Sequence, residues 1–210
     1  MRYIGKEMRR VDGLAKVTGR AKYSTEFELP NMAYGYLHLG TIAKGTIRRL
    51  DLMKAESAPG VLKILSHLNV PALINPPPED RSPEVSDFFA FRNEKILFNG
   101  QPIALVVAET FEQARHAARL IEVEYAEETC GTNLVAQLAS AKDTKAQAKA
   151  EERGNFGKGF AEAPVKVEEE YHIPIEHHNP IELHGATAFW KDDKLTIFDK
   201  TQNVYQLRDL

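Results

Sequence analysis

The strongest structural signal in the chain is an unbroken apolar run at 103–108, with the sequence IALVVA. A strand that is apolar on both faces belongs in the middle of a sheet, with cover on each side. Thr110 and Gln113 then form a capping box that begins a short helix, and apolar residues alternate again over 121–125. Residues 102–125 therefore predict a βαβ-like module.

Strand-like segments and turn signals alternate before this module. The predicted strands lie at 21–27, 33–39, 46–50 and 61–66, and they indicate a mixed or antiparallel sheet. One or two helical turns are predicted at 52–57. The proline-rich stretch at 71–83 predicts an exposed extended loop, with a ligand for a proline-binding module as the alternative.

Composition excludes several classes of function. The 210 residues include 27 basic and 30 acidic side chains, with no long basic run, which argues against nucleic-acid binding. The longest apolar run is far below the roughly 18 residues of a membrane span. The single cysteine, Cys130, allows no internal disulfide and is predicted to be a loop thiol. We expect a soluble protein without a membrane span or an export signal of its own.

The composition changes after Tyr125. A helix capped by Asn133 is predicted at 134–153, but beyond Leu138 it is almost entirely Ala, Lys, Glu, Gln and Asp. Because such a segment buries little area, we place a domain boundary between 126 and 160.

The last 50 residues begin a second unit. Apolar residues alternate along a strand at 165–171, and a hairpin is predicted around KDD at 191–193. The sequence at 201–210 is typical of a strand end that turns into a helix. Two or three strands and a helical turn cannot close a core, so this unit needs more chain or a partner.

Histidines and carboxylates are concentrated at 176–184, EHHNPIELH. Glu176, His177, His178 and His184 supply enough ligands for a metal, but their spacing around a proline matches no metal-binding template. The favoured interpretation is structural, with the imidazoles in a buried turn and bonded to backbone groups.

Two basic, glycine-containing segments lie near the N-terminus, RRVDG at 9–13 and KVTGRAK at 16–22. Neither matches a phosphate-binding glycine pattern. The favoured interpretation is an extended arm whose arginines pair with another domain, and direct nucleotide binding is the alternative.

Four groups of segments together resemble the beginning of the molybdenum-binding large subunit of the xanthine dehydrogenase and aldehyde oxidase family, in order and spacing as well as content. They are RVDG at 10–13 with KVTGRAKY at 16–23, APGV at 58–61, NGQPIALVVA at 99–108 with VEY at 123–125, and EHHNPIE at 176–182 with TQN at 201–203. The bacterial aldehyde oxidoreductases with separate subunits are most similar, through AYGY at 33–36, TIAKG at 41–45 and VYQLR at 204–208.

The resemblance implies an α/β (α+β) fold. It places an α/β hammerhead domain at 1–127, a partly helical connector at 128–159 and the incomplete start of a molybdenum-cofactor-binding domain at 160–210. This boundary agrees with the change in composition after Tyr125.

The resemblance also implies cofactors. In the family the large subunit binds a molybdopterin dinucleotide, for which we expect the cytosine form, and partner subunits or domains carry iron–sulfur clusters and FAD. A Mo–OH group, activated by a glutamate base, attacks the substrate carbon while hydride passes to a terminal sulfide, and water supplies the oxygen. The glycine-rich cofactor loop and the segment with the catalytic glutamate have no counterpart here. We therefore expect no catalytic residue and no metal ligand in this chain, and no cofactor bound by it alone.

One family position carries over. Gln202, in a Thr-Gln pair, matches the glutamine that donates a hydrogen bond to a molybdenum oxo group, so the resemblance implies that Gln202 contacts the cofactor. The alternative is a side chain that caps the following helix. The chain departs from the family at 180–183, where it has PIEL and the family more often has PMEP.

We interpret the chain as the N-terminal portion of a molybdenum hydroxylase large subunit that hydroxylates aldehydes or N-heterocycles with oxygen from water, and we expect the isolated chain to be inactive. The implied partners are the iron–sulfur and FAD subunits and the remainder of the large subunit. The expected compartment is the cytoplasm, or the periplasm after export with a partner. The alternative is a non-catalytic docking module for the iron–sulfur and flavin subunits.

Overall fold

A computed structural model describes residues 4–71, 90–138 and 153–208. Nearly all of the predicted proline-rich loop at 71–83, and most of the predicted helix at 134–153, lie outside these ranges. The chain divides into two compact units, which we call the terminal unit (Met1–Leu29 with Lys145–Leu210) and the central unit (Pro30–Thr144).

The described residues form short helices and strands, with a 3-10 turn at Ser24–Glu26. In chain order they are α1 (Gly13–Val17), β1 (Tyr34–Leu39), β2 (Gly45–Asp51), α2 (Met53–Glu56), β3 (Val61–Ser66), β4 (Lys95–Ile96), β5 (Pro102–Ala108), α3 (Phe111–Arg119), β6 (Glu122–Glu127), α4 (Leu134–Gln137), α5 (Phe156–Glu162), β7 (Thr187–Lys191), β8 (Lys194–Phe198) and α6 (Val204–Arg208).

The described residues of the central unit form two three-stranded antiparallel sheets, with strand orders β1-β5-β3 and β4-β2-β6. The predicted central position of the apolar run is confirmed, because Val106 of β5 pairs with Tyr36 on one side and Ile64 on the other. The prediction of a strand at 21–27 is wrong. The Glu26 N–H donates to the Tyr23 carbonyl at 3.0 Å, which closes a tight turn that an extended strand cannot contain.

Helix α3 packs on one face of β5. The predicted capping box is present, since the N–H of Gln113 donates to Oγ1 of Thr110 at 3.2 Å and the N–H of Thr110 donates to Oε1 of Gln113 at 3.0 Å. Ala117 and Ala118 of α3 belong to one buried cluster with Ala104 and Val106, and Val106 is 0% exposed. This face of β5 therefore forms the main core of the central unit.

The other face of β5 is only partly covered, whereas the sequence predicted cover on both faces of this strand. Ile103 packs into a second cluster with Ile42, Ile47 and Ile96, but Leu105 is only half-buried. Leu37, which pairs with Leu105, is 43% exposed. Within the described chain, this face is covered at the beginning of the strand and open towards its end.

The predicted βαβ-like module is also only partly correct. The helix follows β5 and the strand β6 follows the helix, but β6 pairs with β2 in the other sheet, from Asp51↔Glu122 to Gly45↔Glu127. The local sequence determines that β6 is a strand, whereas the pairing with β2 is a long-range choice.

The terminal unit contains the predicted hairpin. Strands β7 and β8 pair from Thr187↔Phe198 to Lys191↔Lys194, and Asp192 in the connecting turn has a φ of 52°. Helix α6 follows β8, which confirms the predicted turn from strand to helix. Among residues 4–71, 90–138 and 153–208, no helix has both the length and the apolar composition needed to cross a bilayer.

Candidate functional site

Gln202 lies in the short turn between β8 and α6, and its side chain is exposed. The Oγ1 atom of Thr201 accepts a hydrogen bond from the N–H of Asn203 at 3.0 Å. In the part of the chain that the structure describes, no hydrogen bond is formed by the Gln202 amide. Thr201 therefore stabilises the backbone of this turn, and the two N–H donors of Gln202 remain available.

The side chain of Lys200 joins the same turn, by a hydrogen bond, to the segment that precedes the hairpin. Its ammonium donates to the backbone carbonyl of Glu182 at 2.6 Å, and its backbone N–H donates to the carboxylate of Asp199 at 2.8 Å. A charged donor on a carbonyl makes a stronger hydrogen bond than a neutral one. The two residues before Gln202 are thus both held by hydrogen bonds.

Glu182 connects this region to the beginning of the chain. Its Oε1 atom accepts the backbone N–H of Ser24 at 3.0 Å, and the Ser24 hydroxyl donates to the carbonyl of Gly185 at 2.7 Å. A Cβ atom at Gly185 would lie 2.4 Å from Cγ2 of Thr25, so any larger residue there would have to displace the exposed Thr25 side chain. No local pattern indicates this contact, because its partners lie before and after the central unit in the sequence.

The histidine-rich segment does not form the predicted buried turn. Glu176, His177, His178 and His184 are all exposed, and no group of three or more potential ligands occurs among the described residues. The interpretation as a buried turn is wrong, because residues 176–181 and both 183 and 184 are exposed. Glu182 is the residue of the segment with a defined structural role.

The basic N-terminal segments also differ from the prediction of arginines that pair with another domain. Arg10 and Lys16 both contact Asp12 within the arm, at 2.6 and 2.7 Å. The hydrogen bonds from Lys16 and Arg10 lower the pKa of Asp12 to about 2. Arg20 donates to the hydroxyl of Thr18 at 3.1 Å, which is again a local contact.

The N-terminal segment is held to the rest of the terminal unit by aromatic stacking and by the hydrogen bonds of Ser24. The rings of Phe27 and Phe198 are parallel, with centroids 3.8 Å apart. Phe198 ends β8, four positions before Gln202. The predicted loop thiol, Cys130, is exposed and lies outside any helix or strand.

Among the described residues of the central unit, two buried polar atoms have no hydrogen-bond partner, Nδ1 of His67 and the hydroxyl of Tyr125. Burial lowers the pKa of His67, and the nearby carboxylate of Glu94 opposes this shift in part. Orphaned polar atoms of this kind are costly to bury. Their positions were not predicted, because alternation identifies Tyr125 as a strand residue but does not say what its hydroxyl meets.

Family models match most of the chain. Residues 18–129 match "Aldehyde oxidase and xanthine dehydrogenase, a/b hammerhead domain", and residues 139–210 match "Molybdopterin cofactor-binding domain". The chain thus has a mixed α/β fold in which a hammerhead domain precedes the start of a molybdopterin-binding domain.

Individual relatives agree with the family models. The chain is 34% identical over 97% of its length to the aldehyde oxidoreductase molybdenum-binding subunit PaoC of Escherichia coli K12, of which it covers 27%. It is 31% identical over 95% of its length to a probable xanthine dehydrogenase subunit of Bacillus subtilis, of which it also covers 27%.

A solved structure is similar over most of the chain. The aldehyde oxidoreductase of Desulfovibrio gigas matches with a TM-score of 0.68 and 25% identity, covering 90% of this chain and 22% of that one. The chain therefore spans about a quarter of the length of these relatives. It belongs to the aldehyde oxidase and xanthine dehydrogenase family and corresponds to the N-terminal part of the family's molybdenum-binding subunits.

Proposed function

We propose that the chain acts as the N-terminal portion of a molybdenum hydroxylase large subunit, whose substrates are aldehydes or N-heterocycles. The family membership supports the reaction class, and the relatives named aldehyde oxidoreductase support the substrate class. When bound, the molybdopterin cofactor supplies the chemistry that hydroxylates the substrate with oxygen from water.

The observation that carries the proposal within this chain is the state of Gln202. Its amide is exposed and forms no hydrogen bond in the described chain, while Lys200 and Thr201 hold the turn beside it. An amide with two free N–H donors fits an oxo group, which only accepts hydrogen bonds. In the proposed function Gln202 donates to the cofactor, and Lys200 and Thr201 fix the backbone from which it does so.

The cytosine dinucleotide form of the cofactor, and partner subunits or domains that carry iron–sulfur clusters and FAD, belong to the same proposal. So do the domain bounds 1–127, 128–159 and 160–210. The two successive family-model matches support the order of the two domains, and the second match begins at 139, inside the proposed connector. The compartment, cytoplasm or periplasm after export with a partner, is tested by cell fractionation.

A reconstitution experiment tests the proposal. The chain alone, and the chain joined to or co-expressed with the rest of a large subunit and its partner subunits, are assayed for molybdenum and for dye reduction with aldehydes and N-heterocycles. We expect molybdenum and substrate-dependent turnover only in the complete assembly. An assembly that forms but contains no molybdenum would contradict the proposal and favour a non-catalytic docking role.

A further inference from the structure

The stretch 165–175 of the terminal unit has the sequence pattern of a strand but no partner. No regular element is formed over residues 166–180, and every residue from 164 to 181 is exposed. Within the described chain, no backbone hydrogen bond joins 165–175 to another segment. The exposed large side chains of this stretch are Val165, Val167, Tyr171, Ile173 and Ile175, at 72 to 84% exposure.

These five apolar side chains share one face. They occupy five of the six odd-numbered positions, the sixth being Glu169, whereas the even-numbered positions hold Lys, Glu, Glu, His and Pro. An extended conformation therefore places all five on the same side, together with Glu169. An apolar face of this size is rarely left in water unless it is an interaction site. The pattern therefore fits a strand that pairs with a strand outside the described chain.

Proline determines which edge of this strand is usable. In an extended chain, successive backbone N–H groups point to opposite edges, so all odd-numbered residues share one edge. Pro174 removes a donor from the even-numbered edge, while the odd-numbered edge keeps every N–H from Val165 to Ile175. A partner strand is thus expected along the odd-numbered edge.

Charge indicates the chemistry of the partner. Residues 165–176 contain four glutamates and one lysine, with three of the glutamates at 168–170. Opposite charges across a strand pair are stabilising, whereas like charges directly opposite are destabilising. The partner strand should therefore carry lysine or arginine opposite Glu168 and Glu170.

A second copy of the chain fits this requirement poorly. The antiparallel register that aligns the apolar faces pairs Val165 with Ile175, and it places Glu170 opposite Glu170 of the other copy. A strand from the rest of the molybdenum-binding subunit is the other candidate partner. The chain covers only 27% of PaoC, and its match to the cofactor-binding domain includes the stretch 165–175.

We propose that residues 165–175 are one strand of a sheet completed by a basic, apolar-alternating strand from the polypeptide that corresponds to the rest of the molybdenum-binding subunit. This proposal rests on the proposed function, since it takes that polypeptide to be the natural neighbour of the chain. Main-chain hydrogen bonds along the odd-numbered edge supply affinity, and the five apolar side chains and the glutamates supply specificity.

Co-expression tests the proposal with a defined probe. The full chain is co-expressed with the part of E. coli K12 PaoC that lies beyond the part similar to this chain, and the product is examined by co-purification and hydrogen–deuterium exchange. We expect a one-to-one complex in which the amides of 165, 167, 169, 171 and 173 exchange at least about tenfold more slowly than in the chain alone, as expected for amides in a paired strand.

Two proline variants form a matched pair. Glu169→Pro and Glu170→Pro each remove one glutamate and one N–H, but from opposite edges of the strand. Glu169→Ala and Glu170→Ala control for the lost carboxylates. We expect Glu169→Pro to weaken the complex about tenfold more than Glu169→Ala, as one lost hydrogen bond of about 1.4 kcal/mol implies, and Glu170→Pro to differ much less from Glu170→Ala. Equal effects of the two proline changes, each relative to its alanine control, would contradict the assigned edge and overturn the proposal.

The remaining outcomes are also decisive. Absence of the complex, or a complex in which the five amides exchange freely, overturns the proposal, and a dimer of the chain with these amides protected assigns the edge to a second copy instead. Molybdenum is measured on the same complex after co-expression with the partner subunits. A protected strand in that complete assembly without molybdenum keeps the strand pairing but contradicts the proposed function. Molybdenum uptake without protection of these amides supports the proposed function but overturns the strand pairing.

Discussion

The backbone N–H of Ser24 donates to Oε1 of Glu182 at 3.0 Å, although 158 positions separate the two residues. Both lie in the terminal unit, so this bond closes a loop of chain that contains the whole central unit. Ser24 is only 6% exposed, and its N–H has no easy access to water as a substitute acceptor.

Replacing Glu182 should therefore destabilise the terminal unit. Glu182→Ala leaves the Ser24 N–H without its acceptor and should cost about 1 to 3 kcal/mol of unfolding free energy. Glu182→Gln, which keeps an oxygen acceptor, should cost less. The fluorescence of Trp190, the only tryptophan, reports unfolding in denaturant. Glu176→Ala, at an exposed position, is the control. If Glu176→Ala lowers the unfolding free energy as much as Glu182→Ala does, the role of this bond is contradicted.

The central strand β5 should not tolerate a charge at Val106. This side chain is 0% exposed and packs beneath α3, so Val106→Asp buries an unpaired carboxylate. We expect a loss of roughly 4 kcal/mol or more in unfolding free energy. Leu62→Asp on the neighbouring strand β3 is the control, because Leu62 is 55% exposed. Melting of Val106→Asp within a degree or two of the parent would show that the strand is not buried.

The carboxyl group of Asp12 should titrate at an unusually low pH. Hydrogen bonds from Lys16 and then Arg10 hold its pKa at about 2, against an ordinary value of 3.8. Because the folded pKa is depressed, the ion pairs stabilise the arm above pH 3.8, and this contribution is lost as the pH falls towards 2. Carboxyl NMR titration measures the pKa directly. Lys16→Ala should raise it towards 3.8, and a parent value already at 3.8 would rule the pairing out.

His67 should make the central unit less stable in acid. Burial lowers the pKa of this imidazole below 6.5, and Glu94 partly opposes the shift. A lowered folded pKa means that the unfolded chain binds more protons, so the contribution of His67 is present above pH 6.5 and is lost as the pH falls. Imidazole NMR titration should show a lower pKa still in Glu94→Gln. A rise in that variant would exclude Glu94 as the opposing charge.

In the complete enzyme, Gln202 should matter for turnover more than for folding. Gln202→Ala removes the donor that we assign to the cofactor, and losses of hydrogen bonds around a metal typically lower activity by about ten- to a hundredfold. Bound molybdenum should stay close to the parent level, because one amide is removed from an exposed turn. Gln202→Glu is a useful second variant, since it keeps the size but not the donors at neutral pH. Unchanged turnover in a metal-replete Gln202→Ala enzyme would show that the family role does not transfer.

Short-range patterns predicted much of the fold. The capping box of Thr110 and Gln113, the central strand at 103–108 and the hairpin around Asp192 each depend on residues within one or two turns of chain. The strand predicted at 21–27 is wrong, although that prediction also depends on neighbouring residues. A contact between Tyr23 and Glu26 closes a turn there, and this local contact competes with the extended conformation.

The sequence by itself determined most of the strands and helices of the central unit and the family to which the pattern is similar, because those signals are carried by neighbouring residues. It also predicted strands at 21–27 and 165–171 that the structure does not form. Only the tertiary structure decided that β6 joins β2 instead of β5, that one end of β5 is left open near Leu105, and that Glu182 is a hydrogen-bond acceptor for Ser24. Each of these depends on which distant segments meet when the chain closes on itself. Local periodicity fixes the face of a strand or helix but does not select its partner.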